Sequence, residues 1–187
     1  MIKKLKHITG IQTGVFAKPF QKGEIVYLQA KHFDVNGEIS GTLYPDLDYS
    51  SKLEKHLLKK GDVLFAAKGS KNFAAWYEKD KIPAVASTSF FVIRINDKNV
   101  LPGYLTWFLN HPDIQAFLKR QAKGSSIASI SKAVLSELEI PIPTIQKQEL
   151  ILKIFKLRNR ERSLKQQIEN LREKEIQNLL INTINEK

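Results

Sequence analysis

The residues that could carry chemistry are scattered in this sequence, and the spacings that would make them act together do not occur. No acidic residue is followed two positions later by lysine, so the acid-x-Lys half of a common nuclease metal site is missing. There is no Gly-x-Gly nucleotide-binding turn, no Gly-Lys of a phosphate-binding loop and no Asn-Pro of an amino-methyltransferase active loop. His7, His32, His56 and His111 lack the short spacings of a metal site and read as surface or packing residues. A serine nucleophile needs a positioned base, and no such pairing is visible. Cysteine is absent, which removes disulfide frameworks and cysteine-ligated zinc. The expectation is a protein without catalytic residues, metal or cofactor of its own.

Binding chemistry is better represented. Lys68, Ser70, Lys71 and Asn72 follow an apolar run and surround Gly69, which frees the backbone for close approach. Thr13, Lys18, Gln21 and Lys22 make a second polar, basic loop. Lys123, Ser125 and Ser126 flank Gly124, and either clamp a phosphate or cap the helix before Ile127. Each loop also reads as an ordinary solvated turn.

The charge balance favours an anionic partner. Formal net charge is +11, from 30 Lys and Arg against 19 Asp and Glu. Residues 1–144 contribute 20 − 13 = +7 and residues 145–187 contribute 10 − 6 = +4. That points to nucleic acid or an acidic membrane surface. No apolar run approaches the roughly 20 residues needed to cross a bilayer, and the basic start lacks the apolar stretch of a signal peptide. A cytoplasmic protein is expected.

These loops need elements to hold them. Glu24–Gln29, Asp62–Ala67 and Val85–Ile95 are β-branched or aromatic and read as strands. In the last, Phe91, Ile93 and Ile95 alternate with Val92 and Arg94. Two helices follow. Gly103–Leu109 stacks Tyr104, Trp107 and Phe108, and Pro112–Ala122 is expected to bury Ile114, Phe117 and Leu118. Past Gly124 a short amphipathic helix runs to Leu138, then Ile140-Pro-Ile-Pro143 forces extended backbone. The fold class is therefore mixed α/β (α+β), with irregular strands first and packed helices later.

Beyond the prolines the chain reads as one long helix. Leu150, Ile154, Leu157, Leu164, Ile168 and Leu171 recur at coiled-coil spacings, interrupted at Glu161. A lone helix cannot bury such a stripe, so it requires a partner. The predicted organisation is a binding domain over residues 1–143 and a dimerisation and spacing helix over residues 144–187.

In order, Lys60-Gly-Asp-Val-Leu-Phe-Ala-Ala-Lys-Gly69, the Gly124–Leu138 lead-in, the Ile140-Pro-Ile-Pro143 strap and the long helix resemble the DNA-recognition (specificity, or S) subunits of type I restriction–modification systems. Gln146-Lys-Gln148 stands where that family often has Glu-Gln. Usual subunits carry two target-recognition domains, each with its helix; the likeness here corresponds to a half-length form with one. The resemblance implies a sequence-specific recognition subunit that directs methyltransferase and restriction subunits, which supply the chemistry, to double-stranded DNA. The family carries over no specific base reader to these positions; by their own chemistry the loop lysines are expected on phosphates, and Asn72 is able to read adenine through a bidentate amide pair. The resemblance also implies antiparallel pairing of two helices, so that a homodimer reads a bipartite target. A single-chain restriction enzyme and a basic coiled-coil scaffold for other proteins are the alternatives.

Overall fold

The computed structural model describes residues 1–20, 22–34, 37–69, 72–78, 82–122 and 129–185. The chain divides into two compact units, Met1–Ile145 and Gln146–Lys187.

The first unit is built on a four-stranded antiparallel sheet. Its order is β2 (Thr9–Thr13), β7 (Phe90–Ile95), β4 (Val63–Ala66), β5 (Ala74–Trp76). Strands β4 and β7 are central and covered on both faces: Val63, Leu64, Phe65, Phe90 and Ile93 have no exposed surface. That is why these segments are nearly continuous apolar runs rather than alternating ones. One cluster, centred on Leu64, Phe90 and Val92, is closed by Phe33, Phe73 and Phe90, whose ring centroids lie 5.5–5.9 Å apart. Such aromatic contacts add about 0.5–1.5 kcal/mol each beyond area burial.

A second, parallel pair joins β3 (Val26–Leu28) to β6 (Ala84–Ala86). The stretch Val85–Ile95, expected as one strand, is therefore two. Ser87, Thr88 and Ser89 turn between them, with Phe90 N–H donating to Ser87 O at 3.0 Å, and the halves serve different sheets. The run of three hydroxyl residues favours local turn bonding over ladder pairing.

After two single-turn helices, α1 (Leu5–Ile8) and α2 (Ser51–Glu54), helix α3 (Pro102–Leu109) packs on β5 and β4 and buries Tyr104, Leu105, Phe108 and Leu109. In α4 (Pro112–Gln121) only Leu118 is fully buried. Ile114 is half-buried and Phe117 remains 39% exposed, against the expectation that all three are core. Their apolar edge lines an open groove with Ala133, Val134 and Leu138. Of the helix expected between Gly124 and Leu138, residues 124–128 lie outside the described residues and 129–131 are not helical; helix α5 is Lys132–Ser136, and its cap is Ser131, whose Oγ accepts the Val134 N–H at 3.2 Å.

The proline strap forms β8 (Glu139–Pro141) and pairs antiparallel with β1 (Ile2–Lys4). Ile142 N–H donates to Met1 O at 2.7 Å and Leu5 N–H to Leu138 O at 2.9 Å. Even-numbered strap residues thus face β1 with their hydrogen bonds, and Ile140 and Ile142 are buried. The prolines fall on the outward positions, where a missing N–H breaks no ladder bond. The second unit is a single helix, α6 (Ile145–Asn185). Mixed α/β architecture with a long C-terminal helix agrees with the sequence reading. No described helix is long and apolar enough to cross a membrane.

Candidate nucleic-acid interface

Antiparallel pairing decides which loops meet. Thr13 pairs with Phe91, Phe65 pairs with both Phe91 and Ala74, and Ala66 pairs with Phe90. The end of β2, the start of β7, the end of β4 and the start of β5 therefore lie at one end of the sheet. Two of the loops singled out in the sequence leave from that end, one after Thr13 and one after Ala67.

The residues that follow the third loop in the sequence, Ser129 and Ile130, are tied to the same place. Lys68 bridges Ser129, and Ile130 N–H donates to Ala67 O at 2.9 Å. Ser129 stands three residues beyond Ser126 in the sequence. Ala67 and Lys68 N–H groups both point to Ser89 O, at 2.9 and 3.4 Å. Gly14 N–H bonds Phe90 O at 3.0 Å and Val15 N–H bonds Ala86 O at 2.8 Å. A contiguous rim of backbone thus runs from Gly14 through Ser87–Ser89 and Ala67–Gly69 to Ser129.

The individual side chains differ in what they are free to do. Lys68, Lys18, Lys22 and Thr13 are exposed. Asn72 is half-buried, and its amide nitrogen donates to Ala66 O at 2.8 Å across the loop. It holds the hairpin of β4 and β5 in shape, so any reading by its amide has to use the remaining oxygen and hydrogen. Gln21, Ser70, Lys71, Lys123, Ser125 and Ser126 lie outside the described residues.

Ser87, Thr88 and Ser89 are part of this rim and were hidden in the sequence by an apolar run on either side. Ser87 Oγ and Ser89 Oγ are 2.7 Å apart, and both Thr88 and Ser89 are half-exposed. Their signal was the unbroken hydroxyl run itself. Hydroxyls and lysines on one rim supply donors for phosphate oxygens and either-way partners for base edges.

The Lys60-Gly-Asp62 motif sits at the opposite end of the sheet. Asp62 is buried and accepts from Arg94 Nε at 2.8 Å and Lys59 N–H at 2.8 Å, and its partner's guanidinium also reaches Leu57 O at 3.3 Å. The carboxylate raises the Arg94 pKa through this hydrogen bond. This motif is structural.

The histidines are spread over the unit. His32 Nδ1 accepts from Gln29 N–H at 3.3 Å, and His111 Nδ1 caps α4 at 3.3 Å from Asp113 N–H. Burial, then Lys31 or Lys55, lowers the pKa of His32 and His56 respectively. Among the described residues no three His, Cys, Asp or Glu stand together as metal ligands. In the second unit, Leu150, Ile154, Leu157, Leu164, Ile168 and Leu171 are 47–64% exposed.

Known proteins share this plan. The type I restriction enzyme MjaVIII specificity subunit of Methanocaldococcus jannaschii is 27% identical over 99 residues, 53% of this chain and 22% of that protein. The type I restriction–modification S subunit from M. genitalium superposes with a TM-score of 0.58 at 16% identity, covering 84% of this chain and 38% of its own. The S subunit from Thermoanaerobacter tengcongensis gives 0.59 at 13% identity, with 86% and 37% covered. At such identities the structural likeness speaks for the fold, and the chain spans well under half the length of these relatives. The model of the type I restriction modification DNA specificity domain matches residues 12–173, most of the sequence, and the chain belongs to that family.

Proposed function

We propose that this chain is a sequence-specific DNA-recognition subunit of a type I restriction–modification complex, with one target-recognition domain. The observation that carries the reading is the meeting of Thr13–Val15, Ala67–Gly69, Ser87–Ser89 and Ser129 at one end of the four-stranded sheet. The rim around Lys68, Ser89 and Ser129 meets the duplex. Lysines position the domain on phosphates, and the polar side chains between them read base edges.

Methyltransferase and restriction subunits supply modification and cleavage in the cytoplasm. The exposed seam of α6 pairs antiparallel with a second copy, so two recognition domains read a target split by an unread spacer. Family membership and the net +7 on residues 1–144 support this assignment.

The test is assembly with a methyltransferase subunit, followed by mapping of modified sites. A single bipartite sequence, and duplex affinity falling with salt by about 0.9 log units per log unit for each phosphate contact, are expected. An assembled complex with no measurable duplex affinity at low salt contradicts the reading.

A further inference from the structure

Phe16 and Phe20 are 78% and 63% exposed, yet the backbone that carries them is pinned from below. Buried Tyr27 donates its hydroxyl to Val15 O at 2.9 Å and accepts the Ala17 N–H at 3.3 Å. The backbone groups on both sides of Phe16 are thus turned inward. Phe20 N–H donates to Asp46 O at 2.7 Å, and Asp46 Oδ1 in turn holds Tyr27 N–H at 2.7 Å.

The two feet of the segment admit no side chain. A Cβ on Gly14 would lie 2.2 Å from Ser87 O, and one on Gly23 would lie 2.4 Å from Leu47 N. These contacts are with backbone, so neither can be relieved by a rotamer change. The fold therefore anchors a segment whose two largest side chains stay mostly in solvent. Single exposed apolar side chains are common, but two large rings on one anchored segment are a candidate contact surface.

Charge and position indicate what touches it. No acidic residue precedes Glu24 in the sequence, and exposed Lys18 and Lys22 flank Pro19 and Phe20. Neither lysine makes an ion pair among the described residues. The segment leaves β2 at Thr13–Gly14, on the rim assigned above to DNA. Phenyl rings have no hydrogen-bonding group, so they cannot read a donor–acceptor pattern. They can insert at a base step or cover a base face, as apolar wedges do in groove-binding proteins.

We infer that the segment 14–20 is an apolar wedge: Phe16 and Phe20 enter a groove of duplex DNA and unstack one base step, while Lys18 and Lys22 hold the flanking phosphates. The inference deepens the DNA-recognition reading and rests on it. It adds a mode of contact that works through deformability of the step rather than through base-edge hydrogen bonds.

The experiment uses the full chain and a duplex it selects from a randomised pool, with 2-aminopurine placed at each position in turn. The expected result is a fluorescence rise confined to one step, absent with Phe16→Ser and with Phe20→Ser. Each variant should bind on the order of tenfold more weakly, with the salt dependence unchanged. Lys18→Ala should keep the fluorescence rise and lower the salt slope by about 0.9. Unaltered thermal melting of the serine variants, expected for such exposed rings, separates these effects from misfolding. If the chain binds the duplex but both serine variants keep its affinity and fluorescence, the wedge is wrong and DNA recognition stands. Serine variants that bind DNA normally but no longer associate with a methyltransferase subunit would make the segment a protein contact and overturn the wedge. A chain that selects no duplex at all removes the DNA reading, and the wedge with it.

Discussion

Arg94 grips Asp62 by two parallel hydrogen bonds, Nε to Oδ1 at 2.8 Å and Nη2 to Oδ2 at 2.6 Å. The carboxylate is 2% exposed, while the guanidinium side chain is 34% exposed. The pair ties the start of β4 to the end of β7, and Lys59 N–H completes the carboxylate's partners. It sits at the end of the sheet away from the rim, so its work is to fix the register of the two central strands.

Asp62→Asn leaves Arg94 without its counter-ion and keeps the shape. Removing one member of a fully buried pair costs about 3–5 kcal/mol. Because Arg94 reaches water, the expected loss is smaller, on the order of 2 kcal/mol. Thermal denaturation should show a melting temperature lower by several degrees. The sequence selected by the folded variant should be unchanged, and a changed target would relocate the interface.

Three lysines of the amino-terminal segment pull two carboxyl pKa values down. Glu137 falls from 4.5 to about 2 through hydrogen bonds from Lys4 and then Lys6. Asp97 falls from 3.8 to about 2 through Lys3 first, then the Asn99 N–H. A depressed folded-state pKa means that the unfolded chain binds more protons in this range. The stabilisation is therefore complete above pH 4.5 and is lost as pH falls toward 2. Acid titration of the wild type should show this loss, and Glu137→Gln with Asp97→Asn should flatten it. Identical acid profiles for the two proteins would mean these pairs are too solvated to matter.

Strand and helix positions around Val63–Ala66, Val26–Leu28 and Pro102–Leu109 were legible, because apolar runs and proline boundaries are local signals. So was the extended strap, since prolines at 141 and 143 admit little else. What the local pattern hid was pairing. Ile2–Lys4 and Ala74–Trp76 are three residues each, too short to show a period, and exist as strands only because β8 and β4 lie beside them. The split at Ser87–Ser89 was masked by apolar residues on both sides. Polar loops around Thr13–Lys22, Lys68–Asn72 and Lys123–Ser126 could be found one at a time. That Thr13, Lys68 and Ser129 lie at one end depends on pairings as distant as Thr13 with Phe91 and Lys68 with Ser129, which no single stretch of sequence records. Nothing in the local sequence marks Phe16 and Phe20 as exposed, because exposure depends on which distant residues pack beside them.

Lys68 and Asn72 share a loop but should respond differently. Lys68→Ala removes an exposed charge, so binding should weaken alike for all sequences, with the salt slope reduced by about 1. Asn72→Ala removes the bond to Ala66 O and any base contact of the remaining amide atoms. If that contact exists, its loss costs roughly 1–3 kcal/mol at one base position and changes which sites are modified. Mapping modified sites for both variants checks this. An Asn72→Ala protein with a lower melting temperature and an unchanged target would make the residue a loop brace alone.

The last expectation concerns α6. Its seam of Leu150, Ile154, Leu157, Leu164, Ile168 and Leu171 is exposed along the helix. Burying each Leu or Ile is worth roughly 1.5–3 kcal/mol, so six such positions give ample driving force for pairing. The seam is broken where Glu161 forms an i,i+4 ion pair with Lys165 at 2.7 Å, a surface contact that contributes little by itself. In the proposed homodimer, two copies related by a two-fold axis would bury the same patch on each other, and antiparallel pairing would carry their recognition domains to opposite ends. Such symmetry makes the target a palindrome with an unread centre. Replacing Leu157 and Leu164 with Asp puts four carboxylates into that buried seam and should give monomers that bind half-sites only. Sedimentation at tens of micromolar reads the oligomeric state directly. A wild-type chain that sediments as a monomer there refutes self-pairing and leaves a different half-subunit as the partner of this helix.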